Sequence, residues 1–233
     1  MKAADHATAR GRAGAAFVLG LAALTVLAGQ AAAADVDQRE FAVQVDGKPA
    51  GTYQLTIVAQ DDGTTTTTAA ASIGVKIGPF TAYSYTYRGT ETWKDGQLVR
   101  MDSSANDNGK RLALAAVSEP NGIRVTVNGQ QGMHPRQAWT TSYWRLLDAR
   151  FRGPKVPLLD ADTGRALQAQ FTQVGVDQVS VLGKHTPCGH FRLGGDVQVD
   201  LWYDGSERLV RQESLEDGHK TVLELTRYQR TPR

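Results

Sequence analysis

The fold is decided by residues 41–68, which read FAVQVDGKPAGTYQLTIVAQDDGTTTTT. Apolar and polar residues alternate on both sides of Asp46-Gly47, and a second turn signal at Asp61-Asp62-Gly63 precedes a run of threonines. An Asp-Gly pair between alternating segments is a strong local signal for a tight β-hairpin. Threonine is β-branched and favours strands. The stretch therefore predicts three consecutive antiparallel strands.

The same turn signals recur along the rest of the chain. Further pairs are Asp95-Gly96, Asn108-Gly109, Asn121-Gly122, Asn128-Gly129, Asp204-Gly205 and Asp217-Gly218. Residues 91–117 and 200–228 form a weak internal repeat, since each holds a Trp, an Asp-Gly turn, Leu-Val-Arg and a further turn. We predict an all-β fold with one short helix. Its hairpin meanders build one large, curved antiparallel sheet, a half-barrel or open barrel.

The middle of the chain has a different pattern. Residues 136–151 place apolar side chains at helical spacing, namely Trp139, Tyr143, Trp144, Leu147 and Phe151. We expect the one short helix here, covering a face of the sheet as a lid. A proline-rich loop over residues 153–165 and two further strands follow it.

The N-terminus has the features of an export signal. Basic residues precede an apolar run, and small residues at Ala32 and Ala34 fit the cleavage pattern before Asp35. The apolar run is shorter than the roughly 20 residues of a membrane span. We predict a signal peptide over residues 1–34 and a single antiparallel β domain over 35–233. The mature protein is then periplasmic or secreted, with no transmembrane segment after signal removal.

The charge of the predicted mature chain argues against several classes of partner. The whole chain has 26 Lys+Arg and 24 Asp+Glu, and residues 1–34 hold three of these bases and one of these acids. The remainder has 23 of each and is neutral. It lacks the basic footprint that nucleic acids or anionic membranes attract. A single cysteine also excludes an internal disulfide.

One stretch raises the question of catalysis or metal binding. GKHTPCGH, residues 183–190, holds Cys188 between His185 and His190. Zinc takes three or four protein ligands, and this cluster offers at most three. The Cys188-Gly189 order also departs from the Gly-Cys-x-Arg signature of L,D-transpeptidases. We interpret the stretch as a loop with a partly buried thiol and predict no catalytic, cofactor or metal site, leaving open whether the three side chains bind metal adventitiously.

Aromatic residues supply the candidate binding surface. In FTAYSYTYRGTETW, residues 80–93, a continuous strand places Tyr83, Tyr85, Tyr87 and Trp93 on one face, unless Gly89 interrupts it with a bulge. Such a row either packs in the core or lines a cavity, and both interpretations stay open. With Trp144, these four residues are the candidate ligand-lining set.

The order of several landmarks resembles a bacterial family of exported proteins of unknown function. The landmarks are a DG-x-x-x-G opening, an E-x-W-x-DG-x-L turn, an Asn-Gly pair, a Tyr-Trp pair and a D-L-W-Y-D strand. They fall here on Gly51, Glu91, Trp93, Asn108, Gly109, Tyr143, Trp144, Asp200, Trp202 and Tyr203. The family has no established activity. The resemblance implies export and a shape similar to the half-barrels of lipoprotein carriers in the bacterial envelope.

Three functions follow as expectations. The first is an exported, non-enzymatic envelope protein that binds an apolar, amphiphilic or lipid-like ligand on its curved sheet. The alternative is a non-catalytic structural or interaction module that pairs with an envelope protein through long exposed sheet edges. A thiol-dependent enzyme built on Cys188 comes third.

Overall fold

Alternating residues build fifteen strands in the computed structural model, which describes residues 34–78, 80–216 and 218–232. The predicted signal peptide lies outside these ranges, apart from Ala34. The strands are β1 (Ala34–Val45), β2 (Lys48–Gln60), β3 (Thr64–Ile77), β4 (Phe80–Lys94), β5 (Gln97–Asp107), β6 (Lys110–Glu119), β7 (Gly122–Val127), β8 (Gln130–His134), β9 (Trp139–Thr140), β10 (Val156–Leu159), β11 (Ala166–Val181), β12 (Lys184–Gly195), β13 (Val199–Tyr203), β14 (Leu209–Glu216) and β15 (His219–Thr231).

All fifteen strands form one sheet. Its order is β8-β7-β6-β5-β4-β3-β2-β1-β15-β14-β13-β12-β11-β10-β9. Strands that follow one another along the chain are therefore neighbours throughout each half, and the two halves join where β1 pairs with β15. Neighbours run antiparallel except β9 and β10, which pair in parallel. The predicted meanders are confirmed, and they form two long runs, β1 to β8 and β9 to β15.

The sheet curls because its two edges are tied together by a short piece of chain. A flat sheet of this many strands would be roughly 65–70 Å wide at the usual strand spacing. Its edge strands, β8 and β9, are separated only by the link from His134 to Trp139. Five residues reach at most about 18 Å. The edges therefore approach each other, and the predicted curved antiparallel sheet is confirmed.

The turns follow the dipeptide signals. Asp46 and Gly47 have φ angles of 49° and 75°, and Asn108 and Gly109 have 48° and 96°. Two positive φ values in a two-residue loop define a type I′ turn, whose twist matches that of the strands it joins. Leu182-Gly183 forms a similar turn, with φ angles of 50° and 78°. The loop predicted over residues 183–190 is therefore wrong, because these residues lie in or just before β12.

The predicted helix over Arg136–Phe151 is also wrong. Only Ala149–Phe151 are helical, in a single 3-10 turn. Trp139 and Thr140 instead pair with β10 as a two-residue strand, which suits the β-branched threonine. Tyr143 has a φ of 46°, which a helix cannot accommodate. Trp139, Tyr143, Trp144 and Leu147 are buried because the segment packs against the sheet, and Phe151 is exposed. Their helical spacing therefore arises from these packing contacts and not from a helix.

Residues 135–165, called the internal segment below, pack against both halves of the sheet. On one side, the Tyr203 hydroxyl of β13 donates to the carbonyl oxygen of Tyr143 at 2.9 Å. On the other, Ser103 Oγ of β5 donates to the carbonyl oxygen of Ala161 at 2.6 Å. The largest fully buried side chains come from both the sheet and this segment: Trp139, Tyr203, Phe41, Leu55, Leu98, Met101, Ile123, Leu158, Leu159, Leu193, Leu201 and Leu209.

Candidate functional site

An open cavity of about 490 Å³ lies where the internal segment meets the sheet. Its volume falls within the range of small-molecule sites. Aliphatic side chains supply part of the wall, among them Val43, Ile73, Leu167, Val199 and Leu223. Four tyrosines supply another part: Tyr53, Tyr85, Tyr87 and Tyr143. Four carboxylates and one guanidinium complete the charged lining, from Asp160, Asp162, Asp196, Glu216 and Arg165.

Strand β4 positions two of the tyrosines. Tyr85 and Tyr87 alternate with outward-facing residues, so both rings lie on the inner face. The strand continues through Gly89 without the bulge that the sequence left open, because Gly89 pairs in register with Ala69 and Ser103. Gly89 instead gives room to the neighbouring ring, since a Cβ there would lie 2.1 Å from the Tyr87 hydroxyl. A side chain at residue 89 would therefore displace a wall of the cavity.

Two carboxylates of the internal segment reach the cavity together. The Tyr85 hydroxyl donates to Asp162 Oδ2 at 2.9 Å. Asp160 Oδ2 accepts a 2.6 Å hydrogen bond from Thr163 Oγ1, which holds that carboxylate in a turn. Burial, and then the adjacent Asp160, raise the pKa of Asp162 to about 7, while the Tyr85 hydrogen bond lowers it. The pair therefore holds a proton near neutral pH.

A third carboxylate, Glu91, is buried at some distance along β4 and is not part of the cavity wall. It is 2% exposed and accepts hydrogen bonds from Trp93 Nε1 at 2.7 Å and Thr140 Oγ1 at 3.2 Å. Burial raises the pKa of Glu91, and hydrogen bonds from Ser142, Trp93 and Thr140 work against that rise. The carboxylate ties the internal segment to the sheet.

Trp93 and Trp144 pack against each other beside this carboxylate. Their ring centroids lie 6.2 Å apart in an edge-on arrangement. The Arg145 guanidinium lies 4.6 Å from the Trp93 ring centroid, within cation–π range. Arg145 Nη2 also donates to the carbonyl oxygen of Gly96 at 2.6 Å, in the turn after β4. These contacts make the two tryptophans part of the core.

Trp202 lies on the outer face of the sheet. It pairs across strands with His190, and the two rings stack with centroids 4.4 Å apart. His190 Nε2 lies 2.6 Å from Asp200 Oδ1, and Nδ1 lies 3.0 Å from Asp177 Oδ2. Trp202 Nε1 donates to the same Asp177 carboxylate at 2.9 Å. These contacts form a cross-strand network that holds β11, β12 and β13 together.

Cys188 lies on β12 two residues before His190, with its side chain fully buried. Burial raises the pKa of this thiol, which disfavours the reactive thiolate. His185 is exposed nearer the hairpin tip. In the part of the chain that the structure describes, no group of three or more His, Cys, Asp or Glu side chains is placed to hold a metal ion.

The five predicted ligand-lining residues separate into three groups. Tyr85 and Tyr87 line the cavity. Tyr83 lies outside it, 36% exposed near the β3–β4 turn. Trp93 and Trp144 lie in the core next to Glu91. Tyr53, Tyr143 and the two carboxylates Asp160 and Asp162 also line the cavity, and the sequence patterns did not predict them there. The Asp-Ala-Asp sequence between Leu159 and Thr163 is a signal for the two carboxylates, but the same pattern is typical of an ordinary turn.

A second hollow, of about 660 Å³, lies along β2 to β6. Its walls include Thr52, Thr86, Arg88 and Asn106. These residues alternate with inward-facing ones, so the hollow is a depression in the outer face. The inner cavity is the better candidate because aromatic rings, aliphatic side chains and carboxylates converge there.

An antiparallel sheet curled around an internal segment, with an open cavity between them, defines a β-barrel-like protein. The fold is similar to the crystal structure of a beta-barrel-like protein of domain of unknown function DUF1849 from Brucella abortus. The match has a TM-score of 0.61 at 10% identity and covers 86% of this chain and 100% of that one. At this identity the likeness concerns the fold alone.

The particular family follows from the sequence. The model of the domain of unknown function DUF6134 matches residues 41–226, and the chain belongs to this family. No curated protein matches the chain in sequence. The predicted membership of a family of unknown function is confirmed. Within the described ranges, no helix has the length and apolar character needed to cross a membrane.

Proposed function

We propose that this chain is an exported, non-catalytic envelope protein that binds an amphiphilic ligand in its inner cavity. The single observation that carries the proposal is the convergence of aliphatic side chains, tyrosine rings and carboxylates on one open cavity of about 490 Å³. An apolar wall with a few polar groups is the usual composition of a small-molecule site.

The two kinds of wall support an amphiphile in particular. Val43, Val199 and Leu223 come from β1, β13 and β15 and offer contact to an apolar tail. Asp160 and Asp162 come from the internal segment and offer contact to a polar head. A purely apolar ligand would exclude water from these carboxylates without offering them a further polar contact, which is costly in a buried setting.

Export is supported by the pattern of residues 1–34. The test is to express the full chain in a bacterium, fractionate the cells and sequence the N-terminus of the accumulated protein. We expect a periplasmic or secreted protein that begins at Asp35. Leu21→Arg, which interrupts the apolar run, is the control and should stay uncleaved in the cytoplasm. An intact N-terminus on wild-type protein in the cytoplasm would contradict export.

Ligand binding is tested on protein purified from the same full-length gene. The neutral fluorescent probe N-phenyl-1-naphthylamine reports apolar sites by its enhanced emission. We expect saturable binding that dodecyl amphiphiles displace below their critical micelle concentrations. Extraction and mass spectrometry should also recover a co-purified amphiphile. The proposal would be contradicted if the protein neither bound the probe nor carried any such molecule.

A cavity-wall variant and a matched surface variant locate the binding. Tyr87→Ala removes a buried ring of the wall, and Phe80→Ala removes a ring that is 75% exposed on the β3–β4 turn. We expect Tyr87→Ala to weaken probe binding at least tenfold while Phe80→Ala leaves it unchanged. The reverse pattern would move the binding site to the outside of the sheet.

The alternative, an interaction module that pairs through sheet edges, has less support. The edge strands are β8 and β9, which have five and two residues. Among the described residues, neither edge is long enough to give the extended pairing that strand addition uses.

A further inference from the structure

The charge of the inner cavity differs from that of the predicted mature chain. That chain is neutral by sequence. The cavity brings together Asp160, Asp162, Asp196 and Glu216, with Arg165 as the basic residue among its lining side chains. A ligand in this cavity therefore meets a local excess of negative charge, and the low dielectric of its walls strengthens that field.

Two of the carboxylates lie on the deeper side of the cavity. Asp160 and Asp162 are half-buried on the internal segment, whereas Arg165, Asp196 and Glu216 are exposed at the rim. Thr163 and Tyr85 donate hydrogen bonds to the deeper pair at 2.6 and 2.9 Å, which fixes their position without neutralising their charge. The negative pole of the cavity is thus built into the fold.

Tyrosine rings form the wall beside this pole. Tyr87 is 7% exposed and Tyr143 is 2% exposed. Both residues line the cavity. The face of an aromatic ring carries negative potential and attracts ammonium groups. Rings and carboxylates therefore favour the same kind of ligand.

We propose that the inner cavity binds organic cations, selecting ligands with an ammonium group over ligands with the same apolar tail and a neutral or anionic head. This proposal rests on the amphiphile-binding function proposed above and names its ligand class. The ammonium lies between the Asp160–Asp162 pair and the tyrosine rings. The tail lies along the aliphatic wall that Val43, Val199 and Leu223 supply. An anionic head in the same place faces the carboxylates and gains only Arg165 at the rim.

Proton release accompanies binding in this arrangement. The groups that face Asp162 are Asp160 from its own segment, Tyr85 from β4 and Glu216 at the end of β14. Burial and the Asp160 carboxylate raise the pKa of Asp162 to about 7. A bound cation favours the ionised carboxylate, so the proton must leave. Affinity for a cation then rises with pH by up to about tenfold per unit below 7.

Displacement of N-phenyl-1-naphthylamine by three dodecyl compounds distinguishes the contribution of the head group to affinity from that of the tail. The compounds are dodecyltrimethylammonium, dodecyl maltoside and dodecanoate, each at pH 8 and below its critical micelle concentration. Tetramethylammonium, which has the head without the tail, is the fourth arm. We expect dodecyltrimethylammonium to bind at least tenfold more tightly than the other two dodecyl compounds, and tetramethylammonium to bind weakly.

Asp162→Asn removes the charge and keeps the shape. We expect it to reduce the preference for dodecyltrimethylammonium over dodecyl maltoside from at least tenfold to below threefold. The matched control is Asp102→Asn, which makes the same change on the outer face, where Asp102 pairs with Arg100. This control should keep the wild-type preference.

The pH profile of the wild-type protein is a second, independent readout. We expect the affinity for dodecyltrimethylammonium to rise between pH 5.5 and 8 and that for dodecyl maltoside to stay flat. If Asp162→Asn does not fold, this pH profile still tests the proposed selectivity for cations. Equal affinities for the three heads, or a flat profile for the cation, overturn the proposed selectivity alone. Failure of every compound to displace the probe overturns the proposed function itself.

Discussion

The indole nitrogen of Trp93 donates a 2.7 Å hydrogen bond to the carboxylate of Glu91, two residues earlier on the same strand. Both side chains are 2% exposed. The pair explains the E-x-W landmark physically. A buried carboxylate needs donors on every side, and Thr140 of the internal segment provides another at 3.2 Å. The landmark therefore marks the attachment of the internal segment to β4.

Glu91→Ala should destabilise the protein by about 2–3 kcal/mol, because Trp93 Nε1 and Thr140 Oγ1 lose their buried acceptor. Glu91→Gln keeps an acceptor oxygen and should cost less. Urea unfolding followed by tryptophan fluorescence measures both. Glu207→Gln, in an exposed turn, is the control and should be neutral. Equal stability of all three variants would show that the carboxylate does not hold the segment.

Gly89→Ala tests the close approach of a ring to the backbone. The new Cβ would lie 2.1 Å from the Tyr87 hydroxyl, so the ring must move. Overpacking of this kind costs about 1–3 kcal/mol, and here it also reshapes the cavity wall. We expect a lower urea midpoint together with weaker probe binding.

Gly132→Ala is the matched control for this substitution. Gly132 lies on edge strand β8, with nothing within 4 Å of the added Cβ. It should leave stability and binding almost unchanged. If both alanine variants behave alike, the position of the Tyr87 ring does not depend on Gly89.

Tyr203→Phe tests how the internal segment is held from the other side of the sheet. The Tyr203 hydroxyl donates to the carbonyl oxygen of Tyr143 at 2.9 Å. Its loss should cost about 1 kcal/mol and speed hydrogen exchange in residues 139–145. Tyr228→Phe, on the partly exposed β15, should change neither quantity. Unchanged exchange in Tyr203→Phe would mean that the hydroxyl does not restrain the segment.

The stability of the protein should depend on pH through Asp162. Its pKa is raised from 3.8 to about 7 in the folded state. Folding therefore favours the protonated form, and the stability it contributes below pH 4 is lost as the pH rises to 7. Asp162→Asn should raise the melting temperature at pH 8 and change it little at pH 4. A melting-temperature difference that is independent of pH would contradict the raised pKa.

Local sequence rules predicted the sheet well and the internal segment poorly. Asp46-Gly47 and Asn108-Gly109 specify their turns through two positive φ values, which depend on neighbouring residues only. Trp139, Tyr143 and Trp144 are buried by partners far away in sequence. Their spacing resembles that of a helix, but it results from these contacts. Tertiary contacts determine the conformation of this segment, and no local sequence pattern predicts such contacts.

The cavity residues show the same limit. The alternation of β4 placed Tyr85 and Tyr87 on one inner face, since strand periodicity is local. It could not show that Trp93 meets Trp144 in the core while Tyr83 stays outside. Asp162 acquires its raised pKa from burial, from the adjacent Asp160 and from Glu216 of β14, which reaches the same site from far away in sequence. Cys188 is likewise buried through tertiary structure, on β12 opposite Asp177 of β11.

The central claim, that the inner cavity holds the apolar tail of an amphiphile, is tested most directly by anomalous diffraction. Crystals of the purified protein are soaked with a dodecyl amphiphile whose tail ends in bromine, and the bromine is located from its anomalous signal. We predict a peak inside the cavity, against the aliphatic wall formed by Val43, Val199 and Leu223. Bromine peaks found only on the outer surface, such as beside the exposed Phe80, would contradict the claim.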